Sequence, residues 1–284
     1  MLRTPMGLLL AALLSACSTF SGASRADLAN PYLGQKPPGS VPEPFAPGLI
    51  TTEKFEYGGV FSPDMDEFYL IREVDIDGDQ EFVVFRHADE GWQETVLSQR
   101  VGQPFIAPDG KTLHLGRRYK ERTADGWSEM KDLDDAFQEF RIMRLTASSQ
   151  GTYAFDEVGS GGTGIIRYSR LVGGERQAPQ AFSEKINTGT WNAHPFIAPD
   201  ESYILWDGRR DTGFGDSDIY VSFREDDGSW GEAINLGDTI NTESWEASAT
   251  VTPDGKYLFF HRETTPNNVD IYWVDASFLE DLRP

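Results

Sequence analysis

Short apolar runs, each flanked by turn residues, recur along most of this chain. Val60-Phe61, Phe105-Ile106, Phe196-Ile197 and Thr250-Val251 stand just before a turn. Phe68-Tyr69-Leu70-Ile71, Leu113-His114-Leu115, Tyr203-Ile204-Leu205-Trp206 and Tyr257-Leu258-Phe259-Phe260 follow one. Runs of this length, rich in β-branched and aromatic residues, predict strands buried on both faces. The turns between them read Ser62-Pro63-Asp64, Ala107-Pro108-Asp109-Gly110, Ala198-Pro199-Asp200 and Thr252-Pro253-Asp254-Gly255. Proline fixes φ, and aspartate or glycine tolerates the tight geometry that follows. Ser149-Gln150-Gly151 is a degenerate fifth version, followed by the strand-like Thr152-Tyr153-Ala154-Phe155.

Longer stretches repeat as well. Ile186-Asn187-Thr188-Gly189-Thr190-Trp191 returns as Ile240-Asn241-Thr242-Glu243-Ser244-Trp245, and Asp218-Ile219-Tyr220 returns as Asp270-Ile271-Tyr272. A third strand follows in most units, including Phe82-Val83-Val84-Phe85 and Ile165-Ile166-Arg167-Tyr168. A turn at Gly91-Trp92, Gly126-Trp127 or Gly228-Ser229-Trp230 then leads to a fourth. A unit of about 40–55 residues built of four short strands predicts an all-β propeller. Five blades fit the chain; a sixth would have to hide within residues 116–165. The last unit lacks a fourth strand, so an N-terminal strand around Gly48-Leu49-Ile50-Thr51 is expected to close the ring.

The ends change this picture. Arg3 precedes the apolar run Met6–Leu14, which is shorter than the ~20 residues a membrane span needs and reads as an export signal over 1–16. Leu14-Ser15-Ala16-Cys17 resembles the bacterial lipobox, and this implies a lipidated Cys17. Cys17 is the only cysteine, so no intrachain disulfide can form. Ser18 in the next position points to the outer membrane, facing the periplasm. Residues 17–48 carry Pro31, Pro37, Pro38, Pro42, Pro44 and Pro47 among small polar residues. They read as a tether to a propeller over 49–284. A net charge of −21 excludes non-specific binding to nucleic acid or anionic lipid. Membrane attachment must therefore come from the lipid, and the chain is expected to act as a monomer.

Asp218-Ile219-Tyr220-Val221-Ser222-Phe223-Arg224, Trp230 and Pro253-Asp254-Gly255-Lys256-Tyr257 resemble the repeats of TolB-type, WD40-like propellers. The resemblance covers about residues 55–275 and is strongest after 190. The motif residues are structural, so it implies the fold and little about activity.

In such a ring, residues just before each first strand and just after each second strand converge on one face. Gln103, His194 and Glu246 belong to the first group, with Trp191 and Trp245 beside them. Arg117, Arg209, His261 and Arg262 belong to the second. Arginines around one mouth could bind an anion, and the tryptophans could stack on sugar rings. His194, His261, Gln103 and Glu246 are the only candidates for a divalent metal, and no short ligand spacing supports one. Residues 159–164 match a dinucleotide pattern but lead into a strand, so they read as a hairpin loop. Residues 75–79 lack the full ligand order of a calcium loop and read as a turn. No nucleophile elbow or Ser–His–Asp set is visible. The expected function is that of a lipid-anchored binding or scaffold protein whose top face takes an envelope protein or an acidic saccharide. The alternative is a lyase or hydrolase acting on acidic oligosaccharides.

Overall fold

Each turn that carries a Pro-Asp step closes in the same way. The N–H of Ser62, Ala107, Ala198 and Thr252 donates to a carbonyl five residues on, and a second bond returns to the same residue. The fourth turn residue has positive φ in all cases: Met65 61°, Gly110 71°, Glu201 63° and Gly255 75°. Glycine adopts this region without penalty, whereas Met65 and Glu201 do so at some steric cost. The degenerate turn is one residue shorter, with Ser148 N–H donating to Thr152 O at 2.9 Å and Gly151 at φ 81°.

Five such turns make five blades. The computed structural model describes residues 31–74, 78–88, 91–159, 162–266 and 268–284. The first blade runs Glu56–Phe61, Glu67–Glu73, Gln80–Ala88 and Gly91–Gln99. The second has Pro104–Ile106, Thr112–Leu115, Arg118–Thr123 and Lys131–Asp132, with a small hairpin through Gly126–Trp127. The third has Leu145–Ala147, Tyr153–Val158, Gly164–Ser169 and Gln180–Ala181. The fourth has Trp191–Ile197, Tyr203–Arg209, Asp218–Phe223 and Ile234–Asn235. The fifth has Glu246–Val251, Tyr257–Thr265 and Asn268–Asp275. All pairings within these sheets are antiparallel. Residues 116–165 hold outer strands of the second blade and inner strands of the third, leaving no room for a sixth.

An N-terminal strand closes the ring, but at a different place from the one expected. Glu43–Pro44 pairs with the third strand of the fifth blade, Glu43 opposite Trp273 and Pro44 opposite Tyr272. Gly48–Thr51 instead forms a turn beside it, with Gly48 N–H donating to Thr51 O. A proline is tolerated at this outer edge because its missing N–H would have faced away from the ladder. The stretch read as tether is therefore pinned to the propeller at two points. Tyr32, Leu33, Phe45 and Ala46 are all buried. Phe45 lies 4.8 Å from Phe259, 5.1 Å from Phe68 and 5.1 Å from Trp273, measured between ring centres. This aromatic cluster joins the first and fifth blades at the seam. The signal segment and Cys17 lie outside the described residues, as do parts of both set-aside loops. Among the described residues no helix is long and apolar enough to cross a membrane.

Candidate functional site

The first strands carry a bulge next to the axis in three blades, between Tyr57 and Val60, Ala193 and Phe196, and Ala247 and Thr250. The bulged residue adopts positive φ: Gly58 67°, His194 47° and Ser248 55°. In the fourth and fifth blades its N–H is thereby turned out of its own ladder toward the preceding blade. His194 N–H donates to Asp156 Oδ2 at 3.0 Å, and Ser248 N–H to Asp207 Oδ1 at 3.0 Å. Asp156 also accepts from Met143 N–H at 2.7 Å and Arg144 N–H at 3.1 Å. These fully buried carboxylates are thus ties between blades.

Arg144, five before Ser149, occupies the third blade's place in the ring of residues that stand five before each turn's proline, with Gly58, Gln103, His194 and Ser248. The sequence reading missed it because its turn, Ser149-Gln150-Gly151, lacks the proline used for alignment. Arg144 is 1% exposed, and its Nε and Nη1 have no hydrogen-bond partner in the protein. Burial lowers its pKa to about 10, against the opposing charges of Asp207 and Asp156, so it remains a cation. Asp207 Oδ2 and both ring nitrogens of His261 are likewise without a protein partner. Burial pushes His194 downward, but Asp207, bonded to its Nδ1 at 2.9 Å, outweighs this and leaves it above the usual histidine value. Burial, with the positive charges of His194 and Arg144, holds His261 far below that value. The axis therefore carries one buried guanidinium, two buried carboxyls and two unlike histidines.

The expected site residues divide into four groups. Gln103, His194 and His261 reach the axis, where Gln103 Oε1 accepts from Ser248 Oγ at 2.9 Å. Glu246 and Arg262 face each other across the fifth blade and pair at 2.8 Å. Glu246 also accepts from Thr242 N–H and Oγ1, and Arg262 stacks over Tyr272 at 4.8 Å. Both side chains are therefore held within the blade. Among the described residues no group of three or more His, Cys, Asp or Glu is placed to hold a metal. Arg117 lies apart, between the second and third blades.

Trp191, Trp245 and Arg209 come together. They line a cleft of about 430 Å³ between the fourth and fifth blades, with Asp216 and Glu263 at its edge. Trp191 stands opposite Arg209 in the sheet. Trp245 is braced by His261 at 4.7 Å and Phe55 at 6.4 Å. Both indoles are partly exposed, and Arg209 is fixed by bonds to Asp216 O and Oδ1. Aromatic walls with a few placed polar groups are what a small-molecule cleft requires.

No protein-family model and no curated protein matches the chain. Similar solved structures exist. An endo-arabinase from Bacteroides thetaiotaomicron VPI-5482 is 12% identical, with a TM-score of 0.51 over 85% of this chain and 97% of that one. TolB from Acinetobacter baumannii is 12% identical, with a TM-score of 0.48 over 78% of this chain and 57% of its own. A gluconolactonase from Xanthomonas campestris is 11% identical, with a TM-score of 0.49 over 79% and 87%. The chain thus spans little more than half the length of the TolB structure. The likeness is one of architecture: this is a five-bladed β-propeller with TolB among its structural neighbours.

Proposed function

We propose that this protein is a binding propeller of the cell envelope that takes a saccharide, or a partner bearing one, in the cleft between its fourth and fifth blades. One observation carries this reading. The two rim tryptophans share an open cleft with Arg209, whereas the axial carboxylates are fully buried, with Asp156 and one oxygen of Asp207 bonded to N–H groups of the neighbouring blades. Tyr32 supports the orientation. Its hydroxyl donates to Asp254 Oδ2 at 2.5 Å, in a turn on the face opposite the cleft. An anchor upstream of Tyr32 would leave from that opposite face and point the cleft away from the membrane.

Neutral oligosaccharides and oligouronides titrated into the protein should change its tryptophan fluorescence. Trp191→Ala should weaken binding about thirtyfold, the ~2 kcal/mol typical of an anchoring aromatic, with the melting temperature unchanged. Equal affinity in the variant would remove the cleft from consideration. The anchor has its own test. Two or more acyl chains on Cys17 hold a protein stably where one does not. Cys17→Ala is expected to move the protein from the membrane to the soluble fraction. A variant still sedimenting with membranes would point to a different anchor.

A catalytic reading draws on the unpartnered axial groups of Arg144, Asp207 and His261. Under that reading the same oligouronides would be cleaved on incubation. Unchanged chain lengths would leave binding as the activity.

A further inference from the structure

A second concavity of the top face lies between the second and third blades. Arg117 follows the second strand of one blade, Arg118 opens its third, and Arg141 leads into the first strand of the next blade. All three are exposed and line a cavity of about 290 Å³ with Glu139 and Phe140. Arg117 Nη1 donates to Gln138 O at 2.8 Å, which fixes it at the rim.

The grouping of these arginines sets them apart. The chain has 46 acidic residues against 25 basic ones. Arg72, Arg86, Arg122, Arg167, Arg209, Arg224, Arg262 and Arg283 pair with carboxylates; among the described arginines that do not, Arg117, Arg118 and Arg141 line one cavity together. Among the described residues no carboxylate comes within ion-pairing distance of Arg117, Arg118 or Arg141. Asp132 stands opposite Arg118 in the sheet, and Glu139 lines the same cavity, yet neither pairs. Three guanidiniums that line one space repel one another, and with Glu139 the lining carries a net charge of about +2. Their planar forks match the oxygens of a tetrahedral oxyanion. The cavity would hold roughly nine waters at ~30 Å³ each, so it has room for such an ion and the first atoms of whatever carries it.

We propose that this cavity is a binding site for a dianionic oxyanion, a phosphate or sulfate group, presented free or as a monoester. It uses none of the residues of the tryptophan cleft and stands or falls separately from it. Calorimetric titrations at fixed ionic strength, with inorganic phosphate, a sugar phosphate monoester and acetate, test it. Saturable binding of phosphate is expected, with acetate at least tenfold weaker. Tighter binding of the monoester than of inorganic phosphate would assign the ester as ligand, and equal binding would assign the free ion. The double variant Arg118→Ala/Arg141→Ala should weaken phosphate at least a hundredfold and leave the melting temperature in place, since both side chains are exposed. Trp191→Ala should bind phosphate as the wild type does. Absence of saturable phosphate binding by the wild type, or its retention by the double variant, would overturn the proposal.

Discussion

Phe45→Ala is expected to lower the melting temperature by about 10 °C, whereas Val41→Ala, four residues earlier, should leave it unchanged. Phe45 has no exposed surface and packs against Phe61, Phe68, Phe259 and Trp273. Two of these belong to the first blade and two to the fifth, so the ring fills the seam where the propeller closes. Truncating a buried phenylalanine costs about 3–5 kcal/mol, and a domain of this size loses about 2–4 °C per kcal/mol. Val41 is 66% exposed and removes little surface from water. The loss should also expose the outer edge of the fifth blade, since Glu43–Pro44 is held beside it by Phe45 N–H donating to Ile271 O. An uncovered edge strand invites association between chains. Thermal melting and light scattering read both effects. Indistinguishable melting curves for Phe45→Ala and the wild type would show that closure does not depend on this segment.

The second large effect is expected at Asp156. Its carboxylate accepts three backbone N–H groups, from Met143, Arg144 and His194, and so joins the third blade to the fourth. Alanine leaves those donors buried without partners, at about 1–3 kcal/mol each, and removes one of the two charges facing the buried Arg144. A destabilisation of at least 4 kcal/mol, or 10 °C or more, is expected in urea and thermal unfolding. Glu157→Ala is the neighbouring control. That carboxylate is 31% exposed and pairs with Arg167, a surface ion pair worth less than about 1 kcal/mol. If Asp156→Ala unfolds like the wild type, its carboxylate is free of structural duty and the axis regains its standing as a reaction centre.

Much of the architecture is legible along the chain because local physics repeats. The Pro-Asp steps write tight turns, and the apolar runs on either side write buried strands. Their recurrence sets five blades and places Trp191 beside Trp245 in register. The position five before each turn is also legible, and it leads to Arg144 once Ser149-Gln150-Gly151 is accepted as a turn. Some of the arginine pairing follows from register too, since Glu246 lies opposite Arg262 in an ordinary hairpin.

Other features were decided only by the closed ring. Proline-rich composition made residues 31–48 look like tether, yet Tyr32 and Phe45 anchor them. Two isolated aromatics produce no periodicity, and only a seam between the first and last blades provides a place for them. Nothing local distinguishes Glu43–Pro44 from Gly48–Thr51 as the closing strand, because that choice depends on which residues let Phe45 reach the cluster. The free arginines are also a tertiary outcome. Arg118 and Arg209 each stand ten residues after the proline of their turn, but Arg209 meets Asp216 in its own blade, while Arg118 shares a cavity with Arg117 and with Arg141 of the next blade. A repeat determines which residue types return at a level of the ring; the loops that meet between blades determine which of them keep an unpaired charge.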